Sequence, residues 1–188
     1  MGGKVITQDA IALQVKELLR KRPIDKISVT TICDNIGIDR KTFYRYFKDK
    51  YDVIDWIYYH DFFKDMQPQP EWNIWDYFTE ITKQLHTDPT FYANAFKIKG
   101  QNSFRDYGTE LLIPIIHEEY GDLFETSEDE LFFVRHALDW TYDACQVWLS
   151  QKPLLSPEEF CKRFKELFQK FSSRSAELIE DSLRRETE

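Results

Sequence analysis

The chain has 188 residues, 42% hydrophobic and 31% charged, with a formal charge of −8, which allows a packed core and argues against global disorder. The acidic balance excludes a protein that binds nucleic acid over its whole surface, and no run of about 18 apolar residues is present to cross a bilayer. The charge is uneven, however: residues 1–50 hold 11 Lys/Arg against 6 acids, and 51–188 hold 14 against 27. A cationic head on an anionic body can bind phosphates at one end and repel them at the other.

In chain order, Ile11, Val15, Leu18 and Leu19 share one face of a helix running from about Thr7, as its cap, to Arg22, with Pro23 closing it. Ser28 caps a short helix that buries Val29, Ile32, Cys33 and Ile36, and Gly37 ends it. After Ile38, a third helix capped by Asp39 carries Phe43 and Phe47 inward, and Asp49 starts a fourth through Val53, Ile54, Ile57 and Phe62. Pro68 and Pro70 mark the clearest boundary. Beyond it, helical periodicity predicts elements at 72–86, 89–98, 103–119 with a kink at Pro114, 128–150, 157–172 and 173 to about 185. No alternation typical of strands appears. The expectation is an all-α chain: a three-helix head with a helix-turn-helix in 1–50, a linking helix at 50–66, and a larger helical bundle in 67–188.

The stretch ISVTTICDNIGIDRKTFYRYFKDK, Ile27 to Lys50, carries the chemistry. Two short helices joined at Gly37-Ile38, the second rich in Arg, Lys, Thr and Tyr, form a helix-turn-helix pattern. Arg40, Lys41 and Thr42 stand at the start of the second helix, where side chains reach base edges in a major groove: Arg or Lys pairs with guanine O6 and N7, and the Thr methyl meets thymine. Thr30, Thr31, Tyr44, Arg45, Tyr46 and Lys50 suit phosphates. A basic run is ordinarily a solvated face, and Phe43 and Phe47 are core under either reading. The discriminating feature is the order Asp39-Arg-Lys-Thr-Phe-Tyr-Arg-Tyr-Phe-Lys-Asp-Lys50, with cations and phenols interleaved.

That order resembles the DNA-binding signature of the TetR family, ending in Tyr-x-Tyr/His-Phe-x-x-Lys, which Tyr44, Tyr46, Phe47 and Lys50 match. The strong resemblance covers about residues 7–66. It implies a homodimer on a near-palindromic double-stranded operator, with Arg40 and Lys41 reading bases and Thr30, Tyr44, Arg45, Tyr46 and Lys50 holding phosphates. Lys41 departs from the small residue common at its position. Gln146-Val-Trp-Leu149 followed by Ser156-Pro-Glu-Glu-Phe160 resembles the junction between the family's last two long helices, which form its dimer bundle. Leu131, Leu138, Cys145, Trp148, Phe160, Phe164, Leu167, Phe168 and Phe171 are accordingly expected at a dimer interface. The segment Lys97 to Arg105 resembles, through one polar loop, a subgroup that includes activators of dihydroxyacetone kinase operons.

Aromatic residues make up 16% of the chain, more than a helical bundle needs. Rings at helical spacing are ordinarily core, yet as a set Trp75, Phe78, Phe96, Phe104, Tyr107 and Trp140 suggest a pocket for an unidentified small-molecule effector. His60, His86, His117 and His136 are scattered without metal-ligand spacing, so no metal or other cofactor is expected. No nucleophile motif or Gly-rich phosphate loop supports an enzyme. Cys33, Cys145 and Cys161 lack CxxC spacing and read as reduced thiols of a cytoplasmic protein. A rival reading keeps the fold but has the body answer a protein partner instead of a metabolite.

Overall fold

The computed structural model describes the backbone of residues 2–64, 66, 71–99 and 103–186, with side chains from residue 8 onward. Its helices are α1 (Gly2–Lys21), α2 (Val29–Ile36), α3 (Arg40–Tyr46), α4 (Lys50–Phe62), α5 (Ile74–Thr87), α6 (Pro89–Ala95), α7 (Phe104–Tyr120), α8 (Ser127–Leu149) and α9 (Pro157–Glu186), with single 3-10 turns at Ile24–Lys26 and Gly121–Leu123. No strand occurs among the described residues. The architecture is all-α, a small helix-turn-helix head followed by a larger helical body. Packing divides the chain into two compact units, Met1–Leu154 and Leu155–Glu188.

Side-chain oxygens set most of the helix starts. Ser28 Oγ accepts from the Thr31 N–H (3.0 Å), Asp39 from that of Thr42 (2.6 Å), and Asp49 from those of Tyr51 and Asp52. Asn73, Asp88, Ser103 and Thr126 do the same for α5 to α8. At α9, Ser156 and Glu159 satisfy each other's backbone N–H, and Pro157 occupies the first helical position. Each cap replaces water on an otherwise orphaned N–H and contributes about 1 kcal/mol.

Two boundaries depart from expectation. The first helix does not start at a Thr7 cap; its backbone is helical from Gly2. Nor does a new helix begin at 173: α9 runs unbroken for 30 residues. Ser172 and Ser173 look like a break in sequence, but serine costs a helix only a few tenths of a kcal/mol, and neither Gly nor Pro interrupts there. The Pro68–Pro70 boundary and Gly100–Asn102 lie outside the described residues.

In the first unit α1 packs on α2, α4 and α6 at once, so the head is seated directly on the body. Ile11, Val15 and Leu19 of α1 are fully buried, as are Ile32 of α2, Phe43 of α3 and Val53 and Ile54 of α4. Each such side chain contributes about 1.5–3 kcal/mol by leaving water. Three polar ties reinforce the seat. Lys16 on α1 pairs with Asp61 on α4 at 2.5 Å. Arg20 grips Asp88, the cap of α6, through Nε and a terminal nitrogen. The Asn94 amide of α6 donates to the Leu19 carbonyl at 3.0 Å.

The body's centre is ring-packed. Phe104 lies 4.6 Å from Tyr58 and 5.1 Å from Phe96, centroid to centroid, and Phe96 lies 5.7 Å from Tyr142. Gly108 of α7 sits where these meet: a Cβ there would fall 2.4 Å from Tyr58 Oη and 2.8 Å from Tyr142 Oη. Only glycine lets α4, α7 and α8 approach so closely. The two phenols hydrogen-bond to each other, and burial pushes both well above the ordinary tyrosine range.

Candidate nucleic-acid interface

The turn between α2 and α3 is made by Gly37, in the left-handed region at φ +69°. Its own N–H and that of Ile38 (3.1 Å) both reach the Cys33 carbonyl, closing α2. Nothing lies within 4 Å of a Cβ built there, so the demand for glycine is conformational and not one of space.

On α3, Phe43 and Phe47 point inward with rings 6.0 Å apart, and Phe47 meets Trp56 of α4 edge-on at 6.2 Å. That anchoring fixes the helix's rotation. Arg40, Lys41, Tyr44 and Arg45 are exposed in consequence, two i,i+4 pairs forming one outward ridge, while Thr42 and Tyr46 are half-buried at its sides. Arg40 rests on Tyr44: its guanidinium carbon is 5.7 Å from the ring centroid, and a terminal nitrogen donates to the phenol oxygen at 3.3 Å. The Thr42 N–H bond holds the exposed Asp39 carboxyl below the usual carboxylate range. At the start of α2, Thr30 is exposed, and the Thr31 hydroxyl pairs with that of Ser28 at 2.9 Å.

Lys50 has partners that no local pattern announces. Its ammonium donates to the Ile24 carbonyl at 2.7 Å and the Ile27 carbonyl at 2.9 Å. Two of its three N–H groups therefore bind the α1–α2 connection to the start of α4, which positions the α2 N-terminus.

Residues 16–55 match the family model described as "Bacterial regulatory proteins, tetR family". The matched segment contains the helix-turn-helix whose geometry is given above, and over that segment the chain is similar to the TetR family of bacterial regulators.

Among curated proteins it is similar to the HTH-type dhaKLM operon transcriptional activator DhaS of Lactococcus lactis subsp. lactis (strain IL1403), 29% identical over 99 residues. That match takes in 52% of this chain and 53% of the relative, so the chain spans about half the length of the curated protein it matches. Two solved structures share the fold. One is a dihydroxyacetone kinase operon activator DhaS, with TM-score 0.57, 21% identity and 87% of this chain against 94% of that one. The other is a TetR transcriptional regulator from Streptococcus agalactiae 2603V, with TM-score 0.63, 17% identity and 88% against 94%.

In the body, the six aromatics expected to line a pocket fall into three groups. Phe96 and Phe104 are buried in the ring cluster, with Tyr107 at its edge, 5.8 Å from Tyr58. Trp75 and Phe78 pair with each other on α5, 6.2 Å apart and half-buried. Trp140 is exposed.

The residues expected at a dimer surface also divide. Leu138, Cys145, Trp148, Phe160 and Phe164 are buried, while Leu131, Leu167, Phe168 and Phe171 are exposed. The exposed apolar face of α8 is a different set, Phe132, Phe133, Trp140 and Val147, and that of α9 continues through Leu178, Ile179 and Leu183. Sequence reading picked out neither this α8 set nor the extension of the α9 face beyond Phe171.

No group of three His, Cys, Asp or Glu able to hold a metal occurs among the described residues, and no helix there is long and apolar enough to cross a membrane. All three cysteines are buried, and none is in a disulfide.

Proposed function

We propose that the regulator acts in the cytoplasm as a homodimer on a near-palindromic operator, and that a small molecule in its C-terminal body shifts its DNA affinity. The observation that carries the reading is the α3 ridge. Arg40, Lys41, Tyr44 and Arg45 project from a helix whose rotation is locked by Phe43 and Phe47. Arg40, Lys41 and Thr42 read bases from the helix start, with Arg40 leaving the Tyr44 face to reach them. Thr30, Thr31, Tyr44, Arg45 and Tyr46 hold phosphates, and Lys50 adds its third N–H while keeping the α2 N-terminus in place.

Dimerisation draws on the exposed faces of α8 and α9, with Phe132, Trp140, Leu167, Phe168 and Phe171 as anchors. Apolar faces of this length on a single chain are the usual mark of an interface. The similarity to the operon activator DhaS supports an activating sense of regulation.

Selection of bound sequences from a random DNA pool by the purified protein tests the reading. A palindrome with half-sites one turn apart, about 34–36 Å, is the expected product. Failure to enrich any motif at low salt would overturn it. A second reading has the body answer a protein partner, and the open form of its surface clefts favours that. Coupling of operator affinity to a partner protein and to no metabolite would establish it.

A further inference from the structure

A cleft of about 690 Å³ opens between α4 and α5, lined among others by His60, Asp61, Trp72, Glu80, Lys83 and Gln84. Its floor is the point where four helices are tied together. Asp61 Oδ2 accepts from Lys16 of α1 and, at 2.6 Å, from the Tyr92 hydroxyl of α6. Tyr92 accepts in turn from the Gln84 amide of α5 at 3.2 Å. Lys16 also lies over the Phe91 and Tyr92 rings, 5.4 and 5.9 Å from their centroids. Lys16 carries this network into the DNA-binding head, whereas the cleft opens on its body end.

The hydrogen-bonding sense of the lining sets what fits. Among the described residues no bond reaches Asp61 Oδ1 or the Gln84 amide oxygen. His60 Nδ1 lies 2.8 Å from the Trp56 carbonyl, which can only accept, so Nδ1 carries the proton and Nε2 is an acceptor in the neutral ring. Three acceptor atoms thus belong to residues of the lining, and a ligand that uses them must bring donors. Charge limits the choice further: Glu80 is paired with Lys83 at 2.7 Å and Asp61 with Lys16, so the lining is close to neutral and gives little gain to a cation. Trp72 and Phe62 supply an apolar wall for C–H faces.

We propose that this cleft is the effector site and takes a small, neutral polyhydroxylated compound of polyol or monosaccharide type. A ligand hydroxyl donates to Asp61 Oδ1, weakening that carboxylate's hold on Lys16 and so shifting the seat of α1. The proposal rests on the small-molecule reading above and replaces the aromatic residues first expected to form the pocket.

Ligand-observed NMR on the full-length protein with glycerol and D-glucose tests the site, with putrescine as a donor-rich cation. The polyols should bind, and Gln84→Met and Trp72→Ala should each weaken binding at least about tenfold while circular dichroism shows intact folding. In the wild type, the Trp72 indole N–H resonance, assigned through Trp72→Phe, should shift on polyol addition. No polyol binding, putrescine binding in its place, or polyol binding that leaves Trp72 unmoved would overturn the site.

Polyol should also change operator affinity by at least about fivefold, the lower end of typical allosteric coupling. That change should vanish in Lys16→Met or, if that variant does not fold, in Tyr92→Phe. Binding without any change in affinity would overturn the coupling alone. Operator binding measured in the same titration without ligand keeps that failure separate from a failure of the DNA-binding reading.

Discussion

The head and the body solve opposite problems with the same secondary structure. In the head, two buried rings, Phe43 and Phe47, serve to hold a ridge of Arg40, Lys41, Tyr44 and Arg45 out in water. In the body, Tyr58, Phe96, Phe104 and Tyr142 face one another, and the polar surface is incidental to them. Function in the head is thus carried by side chains that contribute little to folding. In the body, the rings that secure folding are a different set from the lining of the proposed effector cleft. Substitutions should separate the two regions accordingly.

The largest expected effect is in the body. Phe104→Ala removes a ring in contact with Tyr58, Phe62, Tyr92 and Phe96 and should cost about 3–5 kcal/mol in urea unfolding. Operator affinity of the folded variant should stay within about twofold; a larger drop would show that body packing sets the head's geometry. Arg40→Ala should do the reverse, losing about 1–3 kcal/mol on the selected operator with unchanged stability. Equal losses on operator and random DNA would remove Arg40 from base reading.

A smaller effect tests the linking helix. Asp55 on α4 is half-buried, its Oδ1 has no hydrogen-bond partner among the described residues, and burial, followed by Asp52 and Asp49, raises its carboxyl to about 6. The folded protein then binds this proton more tightly than the unfolded chain, so its contribution to stability falls as pH rises from about 4 to about 6. Asp55→Asn should gain about 1 kcal/mol at pH 7, allowing for solvent screening, and nothing below pH 4. A gain independent of pH would contradict that assignment. Smallest of all, Arg20→Ala should change stability by less than about 1 kcal/mol, since its pair with Asp88 is partly exposed. A measurable change in operator affinity from the same variant would sharpen the view that α1 transmits body to head.

Local chemistry was legible in the sequence. Ser28, Asp39, Asp49 and Ser156 cap where their residue types imply, and Gly37 turns where a left-handed residue was required. What lay outside local pattern was not. Lys16 with Asp61 and Arg20 with Asp88 are 45 and 68 positions apart, and nothing near either residue marks the pairing. A ring that lines a cavity has the same spacing as one that fills it, so periodicity does not separate Phe104, in the ring cluster, from Phe96, which also lines a cleft. The continuity of α9 through Ser172 and Ser173 follows from propensities too weak to decide a boundary.

Asp88 serves two masters. The carboxylate that receives Arg20 also accepts the Phe91 N–H at 3.2 Å and so begins α6. Inheritance of the two roles is therefore linked. Any replacement lacking an oxygen acceptor loses the helix start and the grip on the head together. Asparagine, serine or threonine keeps the first while surrendering the charge of the second. A lineage could loosen its head by that one step and restore it by reversion, which makes this corner a place where regulators of this build can drift in responsiveness without drifting in fold.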